Sequence, residues 1–135
     1  MFDALYPWMH LVGRVMFGLA FILLTIGHFT QRESMVAYAT SRGVPAPKVT
    51  VLLTGLMGVV GGVTIILGQN RFIGGGLLFL FMLLTSTLVH HFWTEKDPMA
   101  RLNEMIHFWK DIALGGAALL IAYYAGWSWP MSLGG

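Results

Sequence analysis

Residues 50–68, TVLLTGLMGVVGGVTIILG, and residues 72–93, FIGGGLLFLFMLLTSTLVHHFW, are two apolar runs separated only by Gln69-Asn70-Arg71. A bilayer core about 30 Å thick is crossed by about 20 apolar residues of helix. Three polar residues reverse the chain and leave room for nothing else, so the pair predicts an antiparallel helical hairpin. Working outward, Trp8–Gly27 and Met105–Ala125 are two further runs of spanning length. The chain reads as an all-α integral membrane protein: four transmembrane helices in an antiparallel bundle, forming a single domain over residues 1–135.

Composition agrees. Apolar residues make up 56% of the chain and charged residues 10%, whereas a soluble domain carries about 25% charged residues. Mean hydropathy is +0.71. A net charge of +2 offers no basic surface for nucleic acid. With no cysteine, disulfides, thiol redox chemistry and iron–sulfur clusters on its own thiolates are excluded. The first span reads as retained: Asp3 occupies the place of a basic leader region, and Arg32 and Glu33 separate the cleavage-like Ala37-Tyr38-Ala39 from the apolar run.

The longest connection, His28–Lys48, predicts a short interfacial helix over Glu33–Thr40, with Met35, Val36 and Tyr38 against lipid. Gly43-Val44-Pro45-Ala46-Pro47 then forbids regular helix. Arg32, Arg42, Lys48, Lys96 and Arg101 lie in the first and third connections, or beside them, against Arg71 and Arg14 near the other face. The positive-inside rule puts loops 28–49 and 94–104 in the cytoplasm and both termini outside.

Polar residues within spans are costly and mark candidate sites. Arg14, Gly18, Phe21, Thr25 and His28 recur every three or four residues and share one stripe of the first span. Glu104, His107, Asp111, Ala118 and Ala122 form a stripe on the last. Antiparallel topology then brings His28, His90, His91, Glu104, His107 and Asp111 to the cytoplasmic end, with His10 and Arg14 at the other. Imidazoles and carboxylates so gathered suit a quinone head group or a proton path, with a metal as the less favoured alternative. A haem would need two His from facing helices. The competing reading is interfacial: each residue lies within about two turns of a span end, where side chains reach water or headgroups.

The ligand or proton pocket candidates are His28, His91, His107, Asp111 and Glu104, with Arg14, His90 and Lys110 secondary. His28, His91, His107 and Asp111 are expected within about one helix diameter, 10 Å, of one another. His91 is expected inside, on a stripe with Thr87 and Leu84, and His90 at the rim. Asp111 is expected within hydrogen-bond reach of His107 or another imidazole. Lys110 and Asp111 are adjacent, so they point about 100° apart on the helix and are not expected to face each other. Arg14 is expected to pair within the bundle or to reach a lipid phosphate. Gly58 and Gly62, with Gly55, and Gly115-Gly116 with Ala118 and Ala122 read as helix-packing faces. There is no phosphate-binding glycine loop and no nucleophile–His–acid constellation of suitable spacing.

Several pieces of the chain occur together in order: Gly13-Arg14, Gly27, Gly43-Val44-Pro45, the Gly55–Gly68 span, His91-Phe92-Trp93, and Phe108-Trp109-Lys110-Asp111-Ile112-Ala113-Leu114-Gly115-Gly116. In these the chain resembles the DoxX family of small bacterial four-helix membrane proteins. Members often carry Lys-Asn where Lys110-Asp111 stands here, so no role transfers to Asp111. The resemblance implies a bacterial cytoplasmic (inner) membrane location. It also implies an association with quinone oxidoreductases, since the namesakes accompany a thiosulfate:quinone oxidoreductase.

The expectation is an accessory subunit of a quinone-linked membrane redox assembly. Alternatives are a small transporter or lipid- or cargo-handling protein, and a purely structural subunit of a larger complex. No covalent cofactor and no metal site are expected; quinone is the candidate ligand and haem is disfavoured. Expected partners are membrane lipids and other membrane subunits or further copies of itself, with no nucleic acid.

Overall fold

Pro7, Pro47 and Pro98 each sit in the first turn of a helix, where a missing N–H costs nothing because that turn's donors have no partner anyway. They open three of the five helices in the structure, a computed structural model that describes residues 2–134. The helices are α1 (Tyr6–Thr30), α2 (Arg32–Ser41), α3 (Pro47–Leu67), α4 (Arg71–Leu88) and α5 (Pro98–Tyr123), with short 3-10 turns at Phe2–Ala4, Phe92–Thr94 and Tyr124–Gly126. Four of the helices, all but α2, are long and apolar enough to cross a membrane. Leu23, Leu53, Leu56, Leu80, Leu83 and Leu119 are exposed on them, as a lipid-facing surface requires.

The α3–α4 reversal is as short as its sequence implies. Gly68 takes a left-handed conformation at φ 67°. Its N–H bonds to Ile65 and that of Gln69 to Thr64, closing the end of α3.

Helix α1 packs along α3, α3 on α4, and α4 on α5, while α1 and α5 make no comparably close approach. The core holds Phe21, Ile65, Leu78, Phe81, Met82 and Ala118. Small residues bring the backbones together: a Cβ on Gly62 would sit 2.5 Å from the Gly18 carbonyl oxygen, and one on Gly75 would sit 2.7 Å from that of Ala118. Gly116, read with Gly115 as a packing face, meets nothing within 4 Å.

Two helix boundaries and one helix face differ from the sequence reading, and all shape the site. Helix α4 stops at Leu88 instead of continuing to Trp93. The His90 N–H bonds to the Thr85 carbonyl, five residues back, and His91 leaves helical geometry at ψ 74°. Helix α5 begins at Pro98, with the Asp97 carboxylate accepting from the Ala100 N–H at 2.8 Å. Glu104 is thereby helical. Met35 and Val36 of α2 turn toward protein, packing on a small core of Ala39, Val44 and Val51. Tyr38 remains half-exposed.

Candidate functional site

The inner stripe of α1 is the one its spacing indicates: Arg14, Gly18, Phe21, Thr25 and His28 are the buried residues of that helix. On α5 the inner row is Asp111, Gly115, Ala118 and Ala122. On α4 it runs through Met82 and Ser86, and the next residue one turn on is His90. Thr87 faces out. The inner imidazole of the pair is therefore His90, and the expectation that His91 lies inside is corrected. The phase of α4 carries His90 inward, and the early end of that helix sends His91 away.

His90 lies between two carboxylates. Its Nδ1 is 2.7 Å from Glu104 Oε2 and its Nε2 is 3.7 Å from Asp111 Oδ2. The His107 ring stacks on it, centroids 5.0 Å apart. His107 itself is exposed, and its Nδ1 contacts the Lys110 ammonium at 3.1 Å. The Lys110 side chain curls back to 3.6 Å from Asp111 Oδ1. The two residues thus do meet, because four methylenes span the angular gap between neighbouring positions.

Arg42, at the end of α2, ties this group to the connections. Its Nε donates to the Val89 carbonyl at 2.7 Å, and its Nη1 pairs with Glu95 at 2.5 Å. Its Nη2 lies 3.9 Å from Glu104. His91 belongs to this outer latch. Its Nε2 donates to the Arg42 carbonyl at 3.0 Å, which leaves Nδ1 to accept from Arg42 Nη2 at 3.3 Å or from Thr94.

Beside the network is a cavity of about 170 Å³ under α2. His28, Tyr38 and His90 reach its wall, and Val51, Phe81 and Leu88 make it apolar. His28 joins His90 only as a fellow wall residue; its ring packs edge-on against Phe81. Burial, and next to it the Glu104 charge, raise the Tyr38 phenol above its ordinary range.

Among the described residues, four buried side-chain atoms lack a hydrogen-bond partner: His28 Nδ1, Asp111 Oδ2, His10 Nδ1 and Arg14 Nε. A buried polar atom left unpaired is costly. Two of these lie at the loop end, where His28 lines the cavity and Asp111 adjoins His90. The other two line a second cavity at the opposite end. Arg14 is paired within the bundle: Nη1 donates to the Pro130 carbonyl at 2.8 Å and Nη2 to that of Met131.

The model of the family described as DoxX matches residues 9–91. The chain belongs to the DoxX family. A curated relative, Inner membrane protein YphA of Escherichia coli (strain K12), is 30% identical over 121 residues, covering 90% of this chain and 86% of that protein. No solved structure is significantly similar. The DoxX match takes in His28, Arg42 and His90 and ends before Glu104, His107 and Asp111. Half of the polar network in this DoxX protein is thus carried by α5, outside the matched stretch.

Arg42, Glu95 and Tyr38 are the site residues that sequence reasoning passed over. Arg42 entered only as a loop charge. Opposite charges in the two same-side connections were the available signal, but pairing across 53 residues has no local pattern.

Proposed function

We propose that the loop-end cavity holds a single quinonoid ring, and that this DoxX protein is the quinone-binding accessory subunit of a membrane redox assembly. The observation that carries the reading is His28 Nδ1, buried with no well-aligned hydrogen-bond partner on the wall of a mostly apolar cavity. An apolar cavity of about 150 Å³ accommodates one benzene, so about 170 Å³ fits one six-membered ring. A ring carbonyl supplies the acceptor that a protonated His28 Nδ1 lacks, and the Tyr38 hydroxyl is a second donor.

His90 adds protons to this picture. Its Nδ1 and Nε2 face Glu104 and Asp111, so the imidazole can take a proton from one side and release it on the other. Quinone reduction consumes two electrons and two protons. The chain has no cysteine for a thiol or iron–sulfur centre, so a partner subunit supplies the electrons. This chain orients the ring and conducts protons. By its basic connections the loop end faces the cytoplasm and both termini lie outside, in the inner membrane, the location given in the name of the YphA relative.

The test is purification in mild detergent, solvent extraction and mass spectrometry of the extract, with bound partners identified alongside. Quinone at about one per chain is expected, falling at least tenfold in His28→Ala. Protein that carries no quinone, binds no short-chain quinone and brings down no redox partner overturns the reading.

A further inference from the structure

The cavity at the opposite end lies between α1 and the end of α5 with the segment that follows it. It measures about 460 Å³, within the roughly 300–1,000 Å³ typical of ligand pockets. Its wall has three zones. His10 and Arg14 of α1 are the polar zone, Phe17 and Ile121 the apolar zone facing the membrane, and Tyr124 and Trp127 the aromatic rim.

Arg14 is 6% exposed, and its terminal nitrogens are held by the tail carbonyls. Those bonds fix the guanidinium in place and leave Nε without a partner. His10 Nδ1 is likewise unpaired, with its ring held edge-on by Trp129 at 4.8 Å. Asp3 is the one acidic side chain of the sequence near this end, and it lines a separate depression on the other side of His10. Arg71 adds a second cation, its guanidinium 4.9 Å over the Trp129 ring.

We propose that this crevice binds an anionic phospholipid. Its phosphate oxygens would meet Arg14 Nε and His10, its glycerol region the Tyr124–Trp127 rim, and one acyl chain the Phe17–Ile121 surface. Three features select that occupant. Arg14 and the neighbouring Arg71 give the polar zone positive charge, the two unpaired atoms belong to residues one turn apart on α1 beside an aromatic rim of the kind found at headgroup depth, and the apolar Phe17–Ile121 wall completes the crevice. A free anion would use the polar zone alone. The site is independent of the loop-end cavity.

The experiment is native mass spectrometry of the full chain from detergent, titrated with phosphatidylglycerol or phosphatidylcholine of matched chains, and with inorganic phosphate as competitor. Phosphatidylglycerol retention at least tenfold above phosphatidylcholine is expected, unaffected by millimolar phosphate. Arg14→Gln abolishes the preference but also releases the tail. Gly13→Leu is therefore the second variant: Gly13 lines the crevice, and a Cβ there meets nothing within 4 Å. It fills the space, leaves the tail bonds intact and is expected to reduce retention tenfold with an unchanged melting temperature. Equal retention of the two lipids, unaltered retention in Gly13→Leu, or displacement by inorganic phosphate overturns the proposal.

Discussion

Replacing His90 by alanine and, separately, His91 by alanine tests which imidazole belongs to the network. His90 bonds Glu104 at 2.7 Å between side chains that are 15% and 17% exposed. A hydrogen bond to a charged group contributes about 1.5–3 kcal/mol, and a neutral one about 0.5–1.5 kcal/mol. His90→Ala removes a bond of the first kind and takes from Asp111 its neighbour at 3.7 Å. His91→Ala removes bonds of the second kind to the Arg42 carbonyl and Thr94, together with a longer 3.3 Å contact to the Arg42 guanidinium, which keeps its own bonds to Val89 and Glu95. The expected costs are about 2–3 kcal/mol for His90 and about 1 kcal/mol for His91. Unfolding in mixed micelles by increasing sodium dodecyl sulfate, followed by circular dichroism, reads the difference. Equal costs, or a larger cost for His91, would refute the assignment of His90 as the inner residue.

Gly62→Leu places a side chain against the Gly18 backbone, where no rotamer relieves a 2.5 Å contact; a loss of about 3 kcal/mol or more is expected, while Gly116→Leu, in open space, leaves the melting temperature unchanged. The raised Tyr38 phenol holds its proton more tightly folded than unfolded. It therefore contributes no pH dependence below its unfolded value near 10, and stability falls as pH rises from there toward the folded value. Phenolate absorbance in wild type against Tyr38→Phe isolates this step, and Glu104→Gln is expected to lower its midpoint. Arg42→Gln unties α2 from Val89, Glu95 and Glu104, and faster proteolysis within residues 31–47 is the expected readout.

What was legible in the sequence followed from periodicity. The α1 stripe is a helix with one buried face, so residues spaced by three and four share a fate, and Arg14 through His28 fall where that rule puts them. The hairpin was legible because three residues between two spans permit nothing else. Where a helix ends is a weaker signal. The run through Trp93 stays apolar after α4 has stopped at Leu88, and the choice between His90 and His91 turned on that end and on the phase of Ser86. The latch of Arg42 with Glu95 joins two connections and leaves no trace in either alone. Lys110 misled because angular position describes the backbone, while a long side chain reaches across it.

Photoaffinity labelling with a short-chain azidoquinone in native membranes shows directly whether the loop-end cavity holds a quinone ring. Label is expected on α2 and the end of α4, on residues such as Met35, Tyr38 and Leu84 that line the cavity. His28→Phe is expected to remove this labelling without unfolding the protein. Label confined to lipid-facing positions such as Leu53 and Leu83, or unchanged by His28→Phe, would contradict quinone binding in this cavity.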